Sequence, residues 1–320
     1  MYEMLRLQFI IFSLIGIGCY ARKTGIVGPQ GQKNITDLVI RIVLPCNIVT
    51  SFVMDIDKSV LYDCVCVFVI SAVIQLLCFL YGKYTYRKID QNRKTCLRYG
   101  LMISNAGFLG NPVAQGIYGD MGLMLASVYL TPVRTMMWSE GIALFSGIRD
   151  RKHTLKKVFT HPCVIACILG ITIMVVKIFT GVMIVPPLIQ SLLQTVGRCN
   201  TALSMMVIGM IVSHVKPEDF LEPIVFRYSV ERLILIPAVV AALLIPLQRM
   251  GFISETISGL CVILAAMPAA TTTSMLSSKY NCAPEFSAKM VIVSTILSIP
   301  TIFIWSLILR SEERRVGKEC

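Results

Sequence analysis

The sequence predicts an all-α polytopic membrane protein: ten transmembrane helices in two inverted five-helix repeats, with helices four and nine broken where they cross. Three observations predict it. The 320 residues are 55% hydrophobic and 15% charged, with a mean hydropathy of +0.73, whereas soluble domains carry roughly a quarter charged residues. Apolar runs recur along nearly the whole chain at the length a helix needs to cross a bilayer. Short motifs recur in the same order in the two halves. The net charge of +12 does not point to nucleic acid, because a basic nucleic-acid domain gathers Lys and Arg on one solvated face. Here they lie in short gaps between apolar runs.

About 20 residues span the ~30 Å hydrocarbon core. On that measure the spans are 7–21, 35–54, 60–82, 95–118, 121–147, 162–180, 187–213, 223–247, 254–277 and 286–309. The first lacks a small-x-small cleavage site and is read as a retained span. Most of the twelve cysteines fall inside these runs, where a thiol behaves as a small hydrophobe. The three histidines, His153, His161 and His214, lie in loops away from any cysteine cluster, so neither a metal nor another cofactor is expected.

Orientation follows from the basic residues. The loops after odd-numbered spans, with their flanks, hold 18 Lys and Arg, and the opposite side holds four: Arg6, Lys58, Lys177 and Arg249. By the positive-inside rule the first set faces the cytoplasm, which leaves both termini outside a plasma or inner membrane. The domains are then 1–147, the first repeat; 148–161, a basic cytoplasmic linker; and 162–310, the second repeat. Residues 311–320 are abruptly polar and stand apart as a tail, native or appended.

Val43-Leu44-Pro45-Cys46-Asn47 in span two is matched by Val196-Gly197-Arg198-Cys199-Asn200 in span seven. Gly110-Asn111-Pro112 in span four is matched by Met267-Pro268 in span nine, and Trp138-Ser139 in span five by Trp305-Ser306 in span ten. Two halves of five spans each must face opposite ways across the bilayer, an arrangement typical of transporters.

The least lipid-like stretches occupy corresponding places: 104–113, with Asn105, Asn111 and Pro112, and 265–274, with Pro268, Thr271, Thr272 and Thr273. Proline removes a donor and clashes with the preceding turn, and Gly107 and Gly110 permit an unwound backbone. Irregular backbone at this depth is tolerated only inside protein or beside a polar cavity. Paired breaks bring half-helix ends together, their amide ends favouring anions and their carbonyl ends cations. Asn47, Asn200 and Gln115 add polar groups that orient a ligand without a buried charge.

Intramembrane charges cost ~2.5–3.5 kcal/mol on insertion scales. Arg134 offers a bidentate fork for a substrate carboxylate, the competing reading being an interhelical pair with Glu140 or Glu231. Glu140 is the candidate for a coupling proton. Asp37 and Arg41 are spaced for a local pair, and Glu231 and Arg232 either snorkel or pair with another helix.

At these residues the chain resembles the auxin efflux carrier family, including its bacterial malate or malonate permease-like members. The resemblance is carried by SNAGFLGNPVAQGIYG at 104–119, TPVRTMMWSEG at 131–141, MPAATTTSMLSSKY at 267–280 and PEFSAKMVIVSTILS at 284–298. It implies the fold shared with sodium/proton antiporters and bile-acid symporters, with spans four and nine crossing at Pro112 and Pro268. It also implies a scaffold of spans one, two, six and seven, through which members dimerise, and a transport domain of the other six. Asn105 matches the family's crossover asparagine, which binds carboxylate in plant members. Residues 148–161 are much shorter than the central loop of plant exporters. The implied activity is secondary transport of a small organic anion, a mono- or dicarboxylate.

Two other readings compete: a membrane sensor that keeps the fold, and a sodium-coupled organic anion symporter. An enzyme is not expected, since no histidine lies in a span and neither G-x-S-x-G nor a nucleotide-binding G-x-x-x-x-G-K-[ST] occurs.

Overall fold

The computed structural model describes residues 2–53, 58–147, 159–213 and 222–319. Residues 148–158 of the expected linker and His214 lie outside the described residues. Among those described the chain is all-helical, apart from a single isolated β-bridge between Ser104 and Ala269.

Proline starts many of the helices. In the first turn its missing N–H removes nothing from the helix ladder. Pro29 opens α2 (Pro29–Ser51), Pro162 opens α7 (Pro162–Thr180), Pro187 opens α8 (Pro187–Val212) and Pro223 opens α9 (Pro223–Arg249). Pro284 opens α12 (Pro284–Glu319), whose backbone runs on through the polar tail. The first helix, α1, covers Tyr2–Lys23, and α3 covers Lys58–Thr85. The Asp90 carboxylate caps α4 (Gln91–Met102) by accepting from the amides of Asn92 and Arg93. After a π turn at Ala106–Gly110 the chain continues as α5 (Asn111–Met136). A second π turn at Met137–Gly141 leads to α6 (Ile142–Ser146). Ser254 caps α10 (Glu255–Ala265), and α11 is Thr272–Lys279.

Helices occupy the places of the expected spans. Among the described residues six are long and apolar enough to cross a membrane: α2, α3, α7, α8, α9 and the 284–309 part of α12. Interruption keeps others below that length. The fourth segment is broken at 103–105, and the ninth at 266–271. Gly119, at φ 65° and ψ −155°, breaks α5 in a conformation that strains any residue with a Cβ. Leu61, Val65, Phe68, Val69, Val73, Leu76, Leu77 and Leu80 are exposed along α3. Such a continuous apolar face suits lipid and not water.

Two groups of helices pack around the centre. In the first, α1 lies along the second part of α8, while the second part of α2 packs against α7 and the start of α8. The approaches are close. A Cβ on Gly18 would stand 1.9 Å from the Met206 carbonyl oxygen, and one on Gly197 would stand 2.9 Å from Asn47 Cα. In the second group, α3 packs on α4, α5 and α10, and α12 packs on α9, α10 and α11. Trp305 Nε1 donates to the Leu233 carbonyl at 2.9 Å, joining α12 to α9.

The spacing of Asp37 and Arg41 does not produce a pair, and both side chains are exposed. Arg41 lies inside the π turn Val39–Val43, which changes the helix register on which an i,i+4 pair depends. Glu231 and Arg232, in the π turn Glu231–Leu235 of α9, are buried and do not snorkel.

Candidate functional site

The site starts from main-chain hydrogen bonds that the two interrupted segments could not make inside a helix. The Asn105 amide donates to the Pro268 carbonyl at 2.8 Å, and the Ala270 amide donates to the Ile103 carbonyl at 3.2 Å. These antiparallel bonds pin one break to the other and satisfy groups that would be costly unpaired inside a membrane. The Ala269 amide donates to Ser294 Oγ of α12 at 3.3 Å. The crossing therefore falls at Ser104–Asn105 and Pro268–Ala269. Pro268 lies at it, its carbonyl accepting the Asn105 amide. Pro112 does not: it is buried in the first turn of α5, where its missing donor is absorbed by the π turn just before it. Gly107 and Gly110 lie in that π turn, which is regular helix and not an unwound stretch.

Asn105 takes the N-cap position of the helical segment that begins at Ala106. Its carbonyl accepts from the Leu109 and Gly110 amides, but its side chain makes no capping bond. The first-turn amides of a helix have no carbonyl one turn back within it, and the helix dipole adds partial positive charge there. Arg134 approaches this turn from further along α5. A Cβ on Gly107 would sit 3.8 Å from Arg134 Nη2. Arg134 is 5% exposed, and its Nη1 has no hydrogen-bond partner among the described residues. Its charge also reaches His161, at the start of α7. Burial, and then the Arg134 charge, push the His161 imidazole down to about 4. His161 Nδ1 accepts from the Cys163 amide at 3.2 Å, which the unprotonated nitrogen can do.

On the second break, Thr271 is the N-cap of α11 without a side-chain capping bond. Thr272 Oγ1 accepts from Tyr99 Oη at 3.0 Å. Thr273 is fully buried, and its Oγ1 has no partner. Asn111 is equally buried, with neither side-chain polar atom bonded. Leaving a buried polar group unbonded costs ~1–3 kcal/mol, so these groups beside one crossing are suited to holding something polar.

Asn47 and Asn200 belong to α2 and α8, outside the crossing. Asn47 Nδ2 donates to Gln115 Oε1 at 3.0 Å, and Gln115 Nε2 donates to Asp120 Oδ1 at 3.0 Å, so Asn47 reaches the crossing helix through a glutamine. Asn200 Oδ1 accepts from Ser204 at 3.3 Å, and its Nδ2 is unbonded. The Glu231 carboxylate accepts from the Tyr86 hydroxyl and from Arg227 Nε, at 2.7 Å for the latter. It is therefore engaged away from Arg134.

Sequence reasoning missed two groups. Tyr99 looks like one more core aromatic until its hydroxyl meets Thr272. Arg232, which the sequence offers only as a charge that snorkels or pairs with another helix, bonds to the main-chain carbonyls of Leu101 in the last turn of α4 and Met267 in the second break.

A multi-helix membrane body with two interrupted helices joined at its centre is an arrangement that transporters use at their substrate sites. The profile of the membrane transport protein family, which is the auxin efflux carrier family, matches residues 5–154 and 149–306, and the chain belongs to it. An uncharacterized transporter of Methanocaldococcus jannaschii is 24% identical over 314 residues, covering 94% of this chain and 97% of that one. An uncharacterized transporter of Methanothermobacter thermautotrophicus is 25% identical over 311 residues, covering 93% and 96%.

Proposed function

We propose that the protein is a secondary active carrier that moves a small organic anion, a mono- or dicarboxylate, by alternating access. The observation that carries this reading is the crossing itself. Two interrupted helices are tied by main-chain bonds at Asn105 and Pro268, and a buried guanidinium with an unbonded Nη1 stands beside the first turn that follows. An amide end and a guanidinium together favour a carboxylate. Asn105, Arg134 and the Thr271–Thr273 hydroxyls are the groups proposed to hold it.

On this reading the ten helical segments are two inverted repeats, with both termini outside the plasma or inner membrane. The group of α1, α2, α7 and α8 is the static scaffold and the homodimer contact. The remaining helices move against it, carrying the crossing from one side to the other, and Glu140 is the proposed site of a coupling proton.

Substrate counterflow tests the proposal. Purified protein is reconstituted into vesicles preloaded with malate, malonate, lactate, 2-oxoacids or indole-3-acetate, and uptake of the labelled acid is followed. Saturable exchange of one acid is the expected result. Binding without exchange would replace the carrier by a receptor, and neither binding nor exchange across the panel would remove organic acids as the substrate class.

A further inference from the structure

The crossing assembles negative as well as positive helix ends. α4 and α10 both run into it, and the last carbonyls of a helix lack partners and carry about half a negative charge. Four carbonyls meet at or just beyond these ends. Ile103 and Pro268 accept from amides of the opposite break. The other two, Leu101 in the last turn of α4 and Met267 just beyond α10, accept from one side chain. Arg232 Nη1 donates to the Leu101 carbonyl at 3.2 Å, and Arg232 Nε donates to the Met267 carbonyl at 3.0 Å.

Arg232 is 2% exposed. It comes from α9, a third helix, so it joins two breaks that lie far apart in sequence. The adjacent acid, Glu231, is held by Tyr86 and Arg227. Two half-helix ends together present about one negative charge, which a single guanidinium matches. Its planar fork holds donors for two carbonyls in a fixed geometry, which the flexible ammonium of lysine does not pre-organise.

We propose that Arg232 is the protein's built-in cation at the crossing. Its guanidinium holds the carbonyl ends of α4 and α10 together, in the place a coupling metal cation would need, so the crossing binds none there. Arg232 is thus a positioning residue. The transport consequence rests on the carrier reading, but the binding consequence does not.

The first experiment is thermal unfolding of the purified full-length protein in sodium, lithium, potassium or choline chloride at equal ionic strength, with low guanidinium as a further arm. The wild type should unfold at one temperature in all of them. Arg232→Gln should unfold earlier and recover selectively with sodium, lithium or guanidinium, because a ligand that binds only the folded state raises its stability. Arg232→Lys keeps the charge and should remain indifferent to the cation. If Arg232→Gln does not fold, the wild-type and Arg232→Lys results decide. Selective stabilisation of the wild type by sodium would overturn the inference, and so would a folded Arg232→Gln that no cation rescues.

In counterflow, Arg232→Gln should lose roughly tenfold or more of its flux in choline, the usual scale for a lost charge-assisted bond, and regain part of it with sodium or guanidinium. Wild-type flux that requires sodium would overturn the inference while leaving the carrier intact. Wild-type protein with no flux would overturn the carrier reading, and the unfolding series would still decide the role of Arg232.

Discussion

The seam between α1 and α8 gives the most direct test of the packing. Ideal Cβ atoms on Gly18 and Gly209 would stand 1.9 Å from the carbonyl oxygens of Met206 and Ile15, respectively. Non-bonded heavy atoms settle near 3.5 Å, so one added methyl must push the helices apart by roughly 1.5 Å along that stretch. Backbone meets backbone here, so no rotamer change can relieve the clash. Overpacking of this kind costs about 1–3 kcal/mol, and each kcal/mol lowers Tm by about 2–4 °C or less in a chain of this size. Gly16 is the internal control. It lies two residues from Gly18 on the same helix, and a Cβ there would meet nothing within 4 Å. Thermal unfolding in detergent should show Gly18→Ala and Gly209→Ala destabilised and Gly16→Ala unchanged or slightly stabilised. Once the seam has opened, the double variant should cost less than the sum of the two. Equal Tm values for all three single variants would refute the argument.

Asn105→Ala should abolish counterflow while membrane yield and Tm hold, because the Asn105 main-chain bond to Pro268 survives and only the side chain is lost; normal flux would remove that side chain from the site. Arg134→Gln should weaken carboxylate binding by about 10- to 100-fold, the 1.5–3 kcal/mol of a charged hydrogen bond, as read by calorimetry with the acid that exchanges; unchanged affinity would leave Arg134 a packing role. The His161 imidazole is depressed to about 4, so below its ordinary value of about 6.5 the unfolded chain binds the proton first. Its stabilising contribution is therefore complete above about pH 6.5 and falls by on the order of 3 kcal/mol as pH drops to 4. Replacing His161 with Asn, which also caps helices, should flatten that part of the Tm–pH curve.

The helices were legible from one signal, an apolar run of bilayer length; the prolines that open α2, α7, α8, α9 and α12 fix where those helices begin, which the runs alone did not. The interruption of span four was legible too, from Gly110 and Pro112, but its position was not. Proline marks where a helix tolerates a missing donor, whereas the crossing is made by main-chain groups at Ile103 and Asn105, which any side chain leaves available. The V-x-x-C-N match led to α2 and α8, but what brings them together is Gly197, where Asn47 Cα comes too near for any side chain. Arg232 was invisible as a crossing residue for the same reason as the break. Its partners are carbonyls, and carbonyls carry no sequence signature. Tyr99 and Thr272 are 173 residues apart, beyond the reach of any periodicity.

The bridge between Ser104 and Ala269 also constrains how the protein is made. Residues this far apart leave the ribosome on the order of ten seconds or more from one another at ordinary synthesis rates of ~5–20 residues per second. During that interval the Asn105 amide, the Ile103 carbonyl and the Leu101 carbonyl have none of their final partners, because these lie in α9 and in the second break. The early helices must therefore wait near water or a chaperoning surface, with the break still open, until α9 and α10 arrive. The centre of the molecule closes among its last steps of assembly, so a chain truncated before residue 268 can contain every early helix and still lack the crossing.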